Sequence, residues 1–461
     1  MMWNLRRLWV LAVTPAWLVA QAISVDNHPS LQSNAEEYST IFQVHQTILT
    51  VSENASLPAG PDQTERHLNE VERLLQRMSR KHGRWNEHHP RYRLLEALRG
   101  FSSYAQLQQA ELDRLEKLYG HASKQQRALL EREIGYGKRF TRVRELIAKN
   151  QELCDAVVRN ALEFYQVDQG ELDSHVEQMK KAGRSADRVS VSQALKHLVR
   201  DWSAEGANER DAAFPCISRA LSEISAGRSG NDKPLRVVLP GAGLGRLGHE
   251  VYQLPGFEVT NNEWSMYQNV VYRFLENVTT LLNPDSSSGS AQDRGVHYPF
   301  IDSWSHHKTA LDMLRPVSFP DVPPPSPPGT AVVLVEGDFT TAFADSTAGF
   351  DVVVTHFFID TARNIMTYLD TIFRILKPGG YWINFGPLLY GSAPFVQLSL
   401  EDIVAVAEAM GFEFQEAPES CGAASLPGKK VRGVEAVYGF NSRALTKNAY
   451  DAQFWVARRK L

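Results

Sequence analysis

The stretch RVVLPGAGLGRLGHEVYQL, residues 236–254, joins an apolar run to an amphipathic one through glycines at 241, 243 and 245. LRVVLP, residues 235–240, reads as a strand, and a helix follows from about Leu244. Without Cβ atoms, Gly241, Gly243 and Gly245 let the backbone turn sharply and come close to a ligand. A dinucleotide site would space them G-x-G-x-x-G and rest pyrophosphate on the helix N-terminus. The spacing here is the compressed G-x-G-x-G. That form is familiar from sites for S-adenosyl-L-methionine, which has no phosphate and presents its amino-acid end and ribose to the loop. A plain strand–helix turn is the alternative at this point.

Neighbouring segments favour the ligand. FEVTNNEW reads as a second strand ending at Glu263, placed to accept both ribose hydroxyls. Asp338 in VEGDF follows a third strand, placed to meet the adenine amino group. Each carboxylate alone reads as surface; their order selects a cofactor site. FDVVVTHFFID and GGYWINFGPL are further buried strands, with IMTYLDTIFRILK helical between them and a Pro-Gly-Gly turn in LKPGGYW, residues 376–382. Strands alternating with helices imply a parallel sheet covered on both faces. The expected class is α/β, a doubly wound Rossmann-like sheet preceded by helices.

Outside this region the chain reads differently. From about Gln63 to Tyr165 apolar residues recur every three or four positions, and a helical pattern returns in VSVSQALKHLVRDWSAEGANERDAAF after a polar linker at 180–188. The expected organisation is a leader at 1–22, a poorly defined extension at 23–62, a helical region at 63–229 and a donor-binding α/β domain at 230–461. MMWNLRR followed by LWVLAVTPAWLVA and Ala20-Gln21-Ala22 reads as a signal peptide or weak anchor, or else as an apolar helix broken near Pro15. Asn54 and Asn277 head formal glycosylation sequons that matter only on the secretory route.

With 461 residues, 43% hydrophobic, a formal net charge of -4 and a pI near 6.4, the chain is globular and lacks the basic footprint of a nucleic-acid binder. Three cysteines, Cys154, Cys216 and Cys421, are too few and scattered for a disulfide framework or zinc site, and no metal is expected. That count fits a reducing compartment. The cytosolic supply of the methyl donor points the same way, whereas residues 1–22 point to the secretory pathway or a membrane.

RDWSAEGANERDAAF, PGAGLGRL, NNEWS, FPDVPP, GDF, FFIDTARN, TIFRILKPGGYWINFGPLLY and FWVARR together resemble the carnosine N-methyltransferase family, also called N2227-like proteins, from roughly His89 to the C-terminus. The resemblance implies a class I methyltransferase fold with an added helical region, cytoplasmic, methylating an imidazole nitrogen of carnosine or a related histidine-containing small molecule with S-adenosyl-L-methionine. It implies that Arg200, with His197 nearby, holds the donor's carboxylate, that Gly241 and Glu263 hold its methionine end and ribose, and that Asp338 and Phe339 frame adenine. His356 also joins the cofactor set. Asp360 would grip the substrate imidazole, with Tyr390 and Tyr450 lining its pocket. Four positions depart from the family pattern: His197 for glutamine, His356 for cysteine, Arg363 for histidine and Gly391 for a substrate-contacting histidine.

Asp360 is the expected catalytic residue. A carboxylate accepting one ring N–H fixes the tautomer, enriches the other nitrogen and stabilises the cationic product. Asp360 also suits the N-cap of the helix after TARN. His356 either approaches the substrate in place of the histidine that Gly391 replaces or is satisfied within the core; Tyr390 and Tyr450 read equally as packing; Trp202 and Trp264 read as core. Alternative functions are methylation of another small metabolite or a protein histidine, made possible by the space at Gly391, or a donor-binding interaction protein without turnover. The partner expected is a small molecule, with a homodimer compatible and membrane association only if residues 1–22 are retained.

Overall fold

The computed structural model describes residues 61–228, 232–278, 295–324, 329, 331–391 and 393–461. The expected leader, the extension up to residue 60, the sequon at Asn54 and the stretch NPDSSSGSAQD, residues 283–293, lie outside them.

Strands β1 (Leu235–Pro240), β2 (Phe257–Glu263), β5 (Val332–Glu336), β6 (Phe350–His356) and β7 (Leu376–Gly386) are consecutive neighbours in the order β5-β2-β1-β6-β7, all parallel. Val237 pairs with Val259 on one side and Val352 on the other. The valine runs of β1, β5 and β6 follow from burial on both faces, where alternation would put polar groups into a core. The short β3 (Gly295–His297) and β4 (Val317–Phe319) form a separate ribbon.

Beyond β7 the sheet departs from the all-parallel expectation. β11 (Ala449–Arg459) runs antiparallel between β7 and β10 (Arg432–Val437), with β8 (Phe412–Phe414) and β9 (Ala423–Ala424) completing the edge. A parallel β11 would need a crossover connection after β10; the direct return through 438–448 builds a hairpin instead.

The helices in front are α1 (Pro61–Met78), α2 (Pro90–Ser102), α3 (Tyr104–Tyr119), α4 (Lys124–Ile134), α5 (Tyr136–Phe164), α6 (Gln169–Lys181), α7 (Arg188–Trp202) and α8 (Ala207–Ser225). The polar linker is thus a short turn between α6 and α7. Within the sheet region come α9 (Arg246–Tyr252), α10 (Met266–Glu276), α11 (Ala310–Leu314), α12 (Phe339–Ala342), α13 (Ile365–Ile375) and α14 (Leu400–Met410). Leu98, Phe101, Leu146 and Leu195 share one apolar core with Met266, Val270 and Phe274 of α10. Helices and sheet belong to one compact unit, Pro58–Leu461.

A buried ionic knot ties the helices to the sheet. Glu336, the last residue of β5, accepts Tyr165 Oη at 3.0 and 2.9 Å and Arg273 Nε at 3.0 Å, while Arg77 Nη2 donates to its carbonyl at 3.3 Å. Burying these charges is tolerable only because each meets its counter-group.

The cysteine expectation is corrected. Cys216 of α8 and Cys421 form a disulfide across 205 residues, with Cα atoms 5.8 Å apart, while Cys154 is free and buried. Their spacing carried no signal because only the folding of α8 onto the β9–β10 end of the sheet unites them. Low cysteine count therefore no longer argues for a reducing compartment. Among the described residues no helix is long and apolar enough to cross a membrane, and no cluster of three or more His, Cys, Asp or Glu could hold a metal ion.

Candidate active site

Winding leaves β1 in opposite directions toward β2 and β6, so a crevice opens at their carboxyl ends. A cavity of about 260 Å³ lies there, walled by the glycine turn, Glu263, His356 and the last turns of α7.

All three glycines have positive φ: 66° at 241, 60° at 243 and 78° at 245. Their roles differ. A Cβ on Gly243 would stand 3.3 Å from Arg200 Nη2 on the cavity side, and one on Gly241 would lie 2.3 Å from the Phe358 ring. Gly245 faces away: a Cβ there would meet Tyr272 at 2.5 Å and Asn261 at 2.7 Å, so its bareness serves the packing of α9 and α10.

Glu263 is half-buried at the end of β2, where Oε2 accepts Gly243 N–H at 2.9 Å and Oε1 accepts Ser265 N–H at 2.7 Å. Burial pushes its pKa up against these amide bonds. The Trp264 amide also bears on the carboxylate, which with about four lone-pair sites keeps acceptor capacity. Asp338 is exposed and caps α12, with Oδ1 accepting Thr340 N–H at 2.8 Å. Phe339 is buried edge-on against Phe358 and Tyr368. Asp338 and Phe339 stand at the β5 end of the crevice and are not part of the cavity wall.

α7 brings His197 and Arg200 to the cavity one turn apart. Arg200 donates from Nε to Asp201 Oδ1 (2.7 Å), from Nη2 to His197 Nδ1 (2.8 Å) and from Nη1 to Tyr438 Oη (2.9 Å). His197 Nδ1 therefore carries no proton, and burial, then the guanidinium, hold its pKa below the usual value. Burial resists the Asp201 charge, but the Arg200 guanidinium prevails and keeps its pKa well below the carboxylate range. Asp201 also accepts Leu244 N–H at 3.2 Å, fastening α7 to the glycine turn.

His356 ends β6 among the rings of Phe214, Phe357 and Phe385. Burial, aided by Arg200, lowers its pKa to about 3, so it is neutral near pH 7.

Asp360 sits in a turn, Ile359–Thr361, and does not cap the following helix; Asn364 does, accepting Met366 N–H at 3.2 Å. Only 6% exposed, Asp360 accepts Leu389 N–H at 3.0 Å through Oδ2. Burial, opposed by this amide, pushes its pKa up to about 6. Asp360 bears electrostatically on Tyr450, whose ring lies 6.0 Å from Phe357 in the cavity wall. Tyr390 is engaged elsewhere: its hydroxyl donates to Leu398 O at 2.9 Å and accepts Leu398 N–H at 3.2 Å, bracing residues 390–398.

A family model described as carnosine N-methyltransferase matches residues 177–461. The chain belongs to the carnosine N-methyltransferase family. The carnosine N-methyltransferase of Mus musculus is 31% identical to this family member over 368 residues, covering 78% of this chain and 84% of the mouse protein. That of Schizosaccharomyces pombe is 30% identical over 388 residues, covering 79% and 95%. A solved Haemonchus contortus phosphoethanolamine N-methyltransferase 2 overlays with a TM-score of 0.32 at 12% identity, over 59% of this chain and 58% of that one.

In this carnosine N-methyltransferase family member, the site also holds groups that the sequence reading does not single out, Asp201 and Phe357 among them although they lie within RDWSAEGANERDAAF and FFIDTARN. Asp201 adjoins Arg200 in sequence, but only the fold shows that the two side chains pair; Phe357, Tyr438 and Gln268 line the cavity from three separate elements. Trp202 is buried as expected, whereas Trp264 is 55% exposed beneath the Arg93 guanidinium, 3.8 Å from its ring centre.

Proposed function

We propose that the chain transfers a methyl group from S-adenosyl-L-methionine to an imidazole nitrogen of carnosine or a related histidine-containing small molecule, with the helical region of 63–229 as the cover of the 230–461 methyltransferase domain. The observation that carries the reading is Asp360, a buried carboxyl with a raised pKa, three residues past Phe357 of the glycine-turn cavity's wall though not itself in that wall, and bearing electrostatically on Tyr450, which packs on Phe357.

The cavity suits the donor's chemistry. Arg200 beside Asp201 offers opposite charges to a zwitterionic amino-acid end, and Glu263 retains acceptor capacity for ribose hydroxyls. Gln268, 8% exposed, leaves its amide oxygen without a protein partner in the cavity wall, as a group awaiting a ligand does. Gly243 leaves room on the cavity side that a Cβ would fill. Bound there, S-adenosyl-L-methionine supplies an activated methyl on a sulfonium. Neutral His356 adds no positive charge next to it.

The rest falls to residues of this chain. Near pH 7 Asp360 is mostly ionised and accepts the N–H of the substrate ring, so the other nitrogen presents its lone pair. It then stabilises the methylated cation and takes its proton. The Leu389 amide fixes the carboxylate for this task, while Phe357 and Tyr450 wall the ring from water.

Methyl-labelled donor incubated with carnosine, other histidine dipeptides and free histidine tests the reading. The expected result is label on an imidazole nitrogen of a dipeptide; label confined to other nucleophiles, or none, would overturn it.

A further inference from the structure

The geometry points to Tyr438 as a positioning residue that orients Arg200 toward the donor's carboxylate, an inference that rests on the function proposed above. Arg200 is tethered from three directions. Asp201 and His197 belong to its own helix, and Tyr438 comes from the C-terminal hairpin. A guanidinium has five N–H groups in one plane. Bonds at Nε and Nη2 restrain one edge of that plane, and the Tyr438 hydroxyl, at 2.9 Å from Nη1, restrains the opposite end. One Nη1 hydrogen stays available for an anion at the cavity. The Arg200 Cζ also lies 5.3 Å from the Tyr438 ring centre and 5.7 Å from that of Phe440, so two aromatic faces limit its swing.

Tyr438 is itself held too firmly to follow a moving arginine. Its ring stacks on Phe357 at 4.9 Å with an interplanar angle of 22°. Phe357 adopts a φ of 49°, a left-handed conformation costly for a large side chain, and its N–H donates to Phe385 O at 2.8 Å. Tyr438 N–H donates to Asn448 O at 2.9 Å across the hairpin. The next two amides, Gly439 and Phe440, both donate to Glu209 Oε1 of α8, at 3.1 and 2.6 Å. This clamp fixes the turn against the helical region and places the hydroxyl where Arg200 meets it. With one N–H left, the bond to a carboxylate depends on where that single hydrogen points, so a loosened Arg200 keeps its charge but loses its aim.

The test separates orientation from general packing. Tyr438→Phe removes the hydroxyl and keeps the ring; Tyr438→Leu removes both. Calorimetry compares S-adenosylhomocysteine, which has the amino-acid end, with methylthioadenosine, which lacks it. For Tyr438→Phe the expected result is about tenfold weaker binding of S-adenosylhomocysteine, the scale of one charge-assisted hydrogen bond, with methylthioadenosine unchanged. KM for the methyl donor should rise similarly while kcat at saturation stays within about twofold, and Tyr438→Leu should lose more. Equal loss for both ligands, or none for either, would overturn the assignment while leaving the proposed function standing. Failure of the unaltered protein to bind either ligand would instead overturn the function on which it rests.

Discussion

Asp360→Asn should make the protein more stable and nearly inactive, with the stability gain appearing only as the pH rises. In the folded chain burial pushes the Asp360 pKa from 3.8 to about 6. An acid with a raised folded pKa binds more protons folded than unfolded between those values, so its ionisation erodes stability as pH climbs from about 4 to about 6. At about 1.4 kcal/mol per pH unit, the gap is worth about 3 kcal/mol above pH 6 and nothing below about 4. Asparagine has the same shape, can still accept the Leu389 amide through its carbonyl oxygen and never pays an ionisation penalty. Urea unfolding at pH 4, 6 and 8 should give matching stabilities for the two proteins at the lowest pH and a gap approaching about 3 kcal/mol at the highest. Transfer should fall by about 10²-fold or more, as for a lost acid–base group, with the donor still bound. Parallel stability curves across the range would refute the burial argument, and near-normal turnover would refute the role in catalysis. In the unaltered enzyme, kcat/KM should decline below about pH 6 as Asp360 takes up a proton.

Gly241→Ala should lose about 1–2 kcal/mol from its left-handed backbone alone. Further loss follows because the Phe358 ring it would strike is stacked on Tyr368 at 4.6 Å; unfolding and donor titration should both register the change, and unaltered values would show that the turn tolerates a side chain. Arg273→Met strips the buried Glu336 and Glu276 carboxylates of their shared cation and should destabilise the chain by about 3–5 kcal/mol in urea. A loss under about 1 kcal/mol would mean the knot is replaceable by simple packing.

Much of the α/β framework was legible because strands buried on both faces are nearly continuous apolar runs, as LRVVLP, VVLVE and FDVVVTH are; FEVTNNE, which buries Thr260, Asn261 and Asn262, was read from its apolar start and its acidic end. The hairpin was not. RGVEAV is half exposed and reads as neither period, and AYDAQFWVARR was recognisable only as a motif, although it pairs along most of β7. The glycine turn, Glu263, His197 and Arg200 converge on one cavity because each sits at a predictable end of a strand or helix. Tyr438 and Phe357 escaped for a different reason: Tyr438 reaches the site through a turn latched by Glu209, and Phe357 through a positive φ that no local pattern announces. The same limit hid the Cys216–Cys421 bond and the surface position of Trp264, which depend on tertiary neighbours far away in the chain.

A crystal structure with S-adenosylhomocysteine and carnosine bound together tests the central claim most directly. The account predicts the sulfur between the glycine turn and His356, one imidazole nitrogen facing it, and the other nitrogen within hydrogen-bond reach of Asp360. A ring bound with neither nitrogen on Asp360, or a donor product seated away from Gly241 and Glu263, would contradict it.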